Sequence, residues 1–266
     1  MEQSACLLRT VHVGGVVDAA PAKIPDGMRH LVDRPMRVWK DALRKHIALS
    51  GLTEKALGGS LDAPLSSVLR EDGGRISAHY FVIHDTSWPW LDAQPFPIDT
   101  DSQVNDLGFY AHASTAMAHV FVNRLGKTLT THEFEEPWRA TKLENKVIGL
   151  HSRGLFLHVE LVQPRRRDTN GPAGNDALAP EPGFTTAQYD TLALLYMAAS
   201  VRAGFGLVPG LHAAIDDGLT GGHDDPQNFQ LEEFAAALIR LQTRLSALST
   251  NLVSTDSALA KEPGVR

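Results

Sequence analysis

Apolar and polar positions change their period several times along this 266-residue chain. Residues 1–34 hold no sustained period, because Gly14, Gly15, Pro21, Pro25 and Gly27 cut the apolar pieces short, and they read as irregular. From Pro35, Met36, Trp39, Leu43, His46 and Ile47 recur at three- and four-residue steps, predicting an amphipathic helix that ends at Ser50-Gly51. A second short helical piece is expected before Gly73-Gly74. The run Ser77–Ile83, rich in aromatic and β-branched residues, predicts a buried strand ending at His84-Asp85-Thr86. Residues 91–112 read as loop, 118–129 as a hairpin turning at Leu125-Gly126, and 155–162 as another strand. Thr185-Thr186 offers an N-cap to a helix bearing Tyr189, Leu192, Leu195, Tyr196 and Ala199 on one face, with Gly204 as the stop. Phe234, Leu238, Leu241, Leu245, Leu248 and Leu252 form a final helical stripe, read as core packing rather than a zipper.

The fold class expected is α/β: a mixed central sheet with helices on both sides and the chemistry at one sheet edge. Residues 1–75 are expected to form an N-terminal extension packed on the domain, 76–232 the catalytic domain, and 233–266 a C-terminal helix and tail.

Composition narrows the function classes. A formal net charge of −6 argues against nucleic acid, which calls for a basic footprint. Arg165-Arg166-Arg167 is isolated and reads as a solvated loop edge. The lone cysteine, Cys6, excludes an internal disulfide framework. No apolar run approaches the ~20 residues of a membrane helix. The first ten residues show no Sec-type leader, so synthesis in the cytoplasm is expected, with a different export route if the protein acts outside.

Twelve histidines require chance placements to be discounted. His84 ends a buried strand and His212 follows an apolar run; both precede turns, where a rigid element aims a side chain into a cleft. Asp225 precedes Pro226, which favours extended backbone and leaves its carboxylate free to project. The competing readings are a hydrogen-bonded strand-end histidine and a turn aspartate. His79 lies five residues before His84, on the opposite face of the strand. His119 reads as a core or supporting residue. Glu160, between Val159 and Leu161, is costly to bury unless it is paired or catalytic. An edge-strand glutamate facing water fits its spacing equally well.

The order of these pieces resembles the zinc-dependent N-acetylmuramoyl-L-alanine amidases of the type 2 class, which share a fold with peptidoglycan recognition proteins. Ile83-His84-Asp85-Thr86 is similar to the family's apolar strand ending in His-x-Thr/Ser, and Ser114–Gly126 to its following segment. His158-Val159-Glu160-Leu161 is similar to its Ile-Gly-Ile-Glu-Leu strand, and Phe184–Tyr189 to the start of its long helix. Gly210-Leu211-His212 resembles its Gly-His motif with one residue inserted, and His223-Asp224-Asp225-Pro226 its Lys-x-Asp-Pro. The likeness covers roughly residues 76–232; each motif is weak alone, and six in order are stronger.

The resemblance implies Zn²⁺ held by His84, His212 and Asp225, a composition that suits hydrolysis. It implies Glu160 as general base and His223 in the place of a lysine that steadies an oxyanion. A lysine is a fixed charge, whereas His223 serves either as imidazolium or as a neutral N–H donor. The family's Trp-His-Ala-Gly stretch, which lines the substrate cleft, reads here Trp138-Arg139-Ala140-Thr141, and Arg139 is suited to grip a stem-peptide carboxylate. The implied reaction cuts the amide between N-acetylmuramic acid and L-alanine in peptidoglycan or muropeptides. A non-catalytic peptidoglycan-binding module is the alternative. The biological settings that fit are muropeptide recycling, a phage-type lysin, or an exported antibacterial effector. The last would act in the periplasm and have a cognate immunity protein.

Overall fold

A computed structural model describes residues 1–38 and 40–259, with side chains as far as residue 250; Trp39 and the side chain of Leu252 lie outside the described residues. The strands are β1 (Ser67–Leu69), β2 (Arg75–Ser77), β3 (Tyr80–Asp85), β4 (Val120–Val122), β5 (Thr128–Thr130), β6 (Phe156–Leu161) and β7 (Val208–Leu211). The helices are α1 (Glu2–Leu7), α2 (Asp26–Arg29), α3 (Lys40–Leu49), α4 (Thr186–Ala203), α5 (His212–Asp216) and α6 (Leu231–Leu259). β1 and β2 form a separate hairpin, and the other five strands make one sheet in the order β5-β4-β6-β3-β7. β4, β6, β3 and β7 run parallel; β5 is antiparallel to β4, so the sheet is mixed as expected.

Strand alternation divides the labour of the two faces. Phe81, Ile83, Leu157, Val159 and Leu161 join Val120 and Val122 in the main core against α4. The intervening positions Val82, His84, His158 and Glu160 point to the other face, together with Phe121. α4 is sandwiched between the sheet and α6, which explains why nearly every residue from Gln188 to Val201 is buried rather than one stripe. Its start is the predicted cap: Thr185 accepts from Gln188 N–H while the Gln188 side chain accepts from Thr185 N–H, and Gly204 closes the helix at φ 77°. Phe234, Leu238, Leu241 and Leu245 are buried, so the leucine stripe is core along that length, and Leu248 is only partly covered. The hairpin turns at 123–127, where the Asn123 side chain accepts from the N–H groups of Leu125 and Lys127.

Three expectations need correction. Residues 1–34 are not wholly irregular, for they contain α1 and α2, too short to show a period. β3 begins at Tyr80, and Ser77 belongs to the β1–β2 hairpin. Arg165 is not on a solvated edge: it is 0% exposed and donates to Asp85 at 2.6 Å and to Asp224 at 3.3 Å, so neighbouring carboxylates turn it inward. Helices flank both faces of the sheet, long on the α4 side only. The other face carries α5, a π-helical turn (Leu143–Ile148) and loops. Short covering pieces leave that face open enough for a site.

Candidate metal centre

His84 stands one residue before the end of β3, and His212 directly follows the neighbouring strand β7. Parallel pairing therefore delivers both rings to the same end of the sheet. Asp225 arrives from the loop after α5, anchored by Ala213 N–H donating to its carbonyl at 2.7 Å and by Asp85 N–H donating to its carboxylate at 3.2 Å. All three side chains are buried, and their donor atoms lie within 4.8 Å of one another.

The spacing tests the fit to an ion. Tetrahedral ligands at ~2.0–2.1 Å from Zn²⁺ stand about 3.3 Å apart. Here the two Nδ1 atoms are 2.8 Å apart, and Asp225 Oδ2 is 3.2 Å from that of His212 and 3.6 Å from that of His84. The remaining ring nitrogens face other groups: His84 Nε2 is 3.0 Å from His158 Nδ1, and His212 Nε2 is 3.0 Å from Asp216 Oδ2, close enough for an ion pair but out of line for a hydrogen bond. Such outer partners fix ring orientation and reserve Nδ1 for the ion.

Electrostatics agree with a cation at this point. Burial, then the charge on His212, pushes His84 down to about 3, so it is neutral and keeps a lone pair to give. Burial alone would lower His212 too, but Asp225 and Asp216 outweigh it and raise the ring to about 10. Burial likewise works against ionised Asp225, yet the His212 and His84 rings hold it well below the usual carboxylate range. Buried carboxylates on both sides of one imidazole thus demand positive charge.

A second group of possible ligands, His212, Asp216 and His223, shares a ring with the first. It is the poorer candidate. Asp216 already accepts from the N–H groups of Lys142 at 3.0 Å and Leu143 at 2.9 Å, and His223 is exposed. The donor set that fits the ion is therefore His84, His212 and Asp225.

Of the other predicted residues, Glu160 and His223 lie beside this centre. Glu160 is the register partner of His84 on the central strand β6, which disposes of the edge-strand reading. It lines a cleft with Thr86, Trp88, Tyr110 and Phe121, and its Oε2 is buried with no hydrogen-bond partner. Burial, reinforced by the charges of Asp225 and Asp85, pushes its carboxyl well above the ordinary range. The His223 ring lies 4.2 Å from that of His212, with Nδ1 3.2 Å from Asp216 Oδ2. Trp138 stacks on His132 at 3.9 Å and donates from Nε1 to Met117 O, a residue of the Glu160 cleft. Arg139 is half-buried, with no side-chain hydrogen bond or ion pair among the described residues.

Sequence reasoning missed two supporting residues, His158 and Glu144. His158 Nε2 is 3.2 Å from Glu144 Oε2, and both side chains are 0% exposed. Glu144 in turn accepts from the backbone N–H groups of Ala140 and Thr141 and from the Thr141 hydroxyl. His119, read as supporting, accepts His158 N–H on Nδ1. The signal for His158 was present: it shares parity with Glu160 in an otherwise apolar strand.

No family model matches the chain, and no curated protein matches it. Among solved structures, the crystal structure of an Se-Met AmpD derivative overlies 68% of this chain and 97% of its own at 19% identity, with a TM-score of 0.39.

Proposed function

We propose that this protein is a zinc-dependent amidase that hydrolyses the bond between N-acetylmuramic acid and L-alanine in peptidoglycan or muropeptides. The observation that carries the chemistry is the meeting of His84, His212 and Asp225 at ligand spacing beside Glu160, whose Oε2 is buried with no hydrogen-bond partner. The choice of bond comes from the motif order described above. A Zn²⁺ ion held there would act as Lewis acid, polarising an amide carbonyl and acidifying water.

The chain's own groups supply the rest. Glu160, made basic by burial and by two neighbouring carboxylates, takes a proton from attacking water and returns it to the leaving amine. His223 keeps Nδ1 toward Asp216 and offers Nε2 to the developing oxyanion. A well-placed donor of that kind contributes about 3–4 kcal/mol. With Nδ1–H given to Asp216, donation from Nε2 needs the doubly protonated ring. Arg139 grips a stem-peptide carboxylate, and Trp138 lines the cleft that receives the substrate.

Incubation of purified protein with peptidoglycan tests this. Release of stem peptides with a new L-alanine amino terminus supports the reading. Retained zinc without cleavage would make the protein a binding module instead. We further infer that it acts on the wall in the periplasm as an exported antibacterial effector, countered by an immunity protein. Lysis on periplasmic but not cytoplasmic expression is the result expected; equal tolerance of both would overturn that role.

A further inference from the structure

The first eighteen residues take no part in the chemistry above, yet they lean on the loop that carries it. α1 packs on β7 and α5, with Leu7 Cβ 3.1 Å from where a side chain on Gly210 would start. Arg9 donates to Asp217 at 2.8 Å and to the Ala214 carbonyl at 3.2 Å. Asn228 N–H donates to the Val11 carbonyl at 2.9 Å, and Gly14 N–H donates to the Gln227 side chain at 3.1 Å. At Gly15 the two backbones meet: a Cβ there would run into Cβ of Asp224 and lie 2.8 Å from its Cα. Asp224 is itself held from the other side by Arg165 and by Gln227 Nε2 at 2.8 Å. Asp225 is the next residue.

We propose that residues 9–15 are positioning residues for the carboxylate ligand. The Gly14–Gly15 turn braces the 223–228 loop from outside and fixes where Asp225 sits. Gly15 is required because only a bare Cα permits that approach. The effect on metal binding rests on the centre proposed above; the brace itself does not.

The two glycines provide a controlled comparison. Both have left-handed backbone, φ 76° at Gly14 and 74° at Gly15, but a Cβ on Gly14 meets nothing within 4 Å. Gly14→Ala and Gly15→Ala thus carry similar backbone strain, and only the second pushes on Asp224. Amide hydrogen exchange over 223–228, measured on the full chain with and without Zn²⁺, is expected to rise in Gly15→Ala and stay at the wild-type level in Gly14→Ala. Zinc affinity should fall about 10–100-fold in Gly15→Ala alone, the usual effect of disturbing a ligand's support. The visible spectrum of the Co²⁺-loaded protein should shift in the same variant alone. Equal behaviour of the two variants, or wild-type exchange in Gly15→Ala, would overturn the proposal. A wild-type protein that takes up no zinc would remove the metal centre and leave the exchange comparison to decide the brace. If Gly15→Ala does not fold, Arg9→Ala serves in its place, with faster exchange over 214–217 expected and unchanged exchange counting against the brace.

Discussion

Replacing Arg165 by Met tests whether the ion pair beneath the metal centre holds it up. The guanidinium is 0% exposed and donates to Asp85 at 2.6 Å, while Asp85 Oδ2 also accepts Gln227 N–H at 3.1 Å. Asp85 follows His84 and donates its own N–H to Asp225, two of the three candidate ligands. Methionine fills much of the volume but strands a carboxylate with no cation. An exposed pair of this kind contributes at most about 1 kcal/mol, whereas removing one partner of a buried pair costs about 3–5 kcal/mol. For a domain of this size that corresponds to a melting temperature lower by roughly 6–20 °C. Denaturant unfolding of wild type, Arg165→Met, Asp85→Asn and the double variant forms the assay. The double variant should regain most of the loss, because the stranded charge is gone. A loss under about 1 kcal/mol in Arg165→Met, or no recovery in the double variant, would refute this account of the pair.

Other outcomes follow from the same geometry. Glu160→Gln should keep its zinc and lose about 10²–10⁴ in kcat, read by peptide release; activity within tenfold of wild type would remove Glu160 as the base. Arg139→Ala should raise KM for stem-peptide substrates with kcat little changed, and unaltered KM would deny it a substrate carboxylate. Glu144 is pushed up by burial, but the His158 contact and the Ala140 and Thr141 donors outweigh that and leave it below its ordinary value. A carboxyl depressed in the folded state stabilises above its unfolded pKa and loses that contribution as pH falls through the folded value. Glu144→Gln should therefore cost about 1.5–3 kcal/mol at pH 7 and progressively less below pH 4.5. A cost independent of pH in denaturant melts would contradict this.

What could be read in advance followed from local rules with strong physical causes. The N-cap at Thr185-Thr186, the Gly204 stop and the turn at Leu125-Gly126 each rest on a few adjacent residues, and the sequence alone was enough to place them; the parts of Gln188 and Asn123 came only with the structure. His84 and His212 were visible as candidates because each sits where a strand gives way to the next segment, and Asp225 because it precedes a proline in a loop. Glu160 was ambiguous because period two gives its face but not whether its strand is central or an edge; only the order β5-β4-β6-β3-β7 decides that. Glu144 lies in a π-helical turn with no apolar period, and its partner His158 is fourteen residues away, so nothing local marked it. Arg165 looked like part of a solvated basic run because its two carboxylates come from distant segments. Side chains held by long-range charge are those that periodicity cannot place.

The central claim is that two imidazoles and one carboxylate hold a single divalent ion. X-ray absorption at the zinc edge of protein loaded with one equivalent of Zn²⁺ tests it most directly. The account predicts two histidine nitrogens and one carboxylate oxygen at ~2.0–2.2 Å, with the metal lost in His84→Ala, His212→Ala and Asp225→Ala. Failure to take up stoichiometric zinc, or a shell of four protein donors, would contradict it.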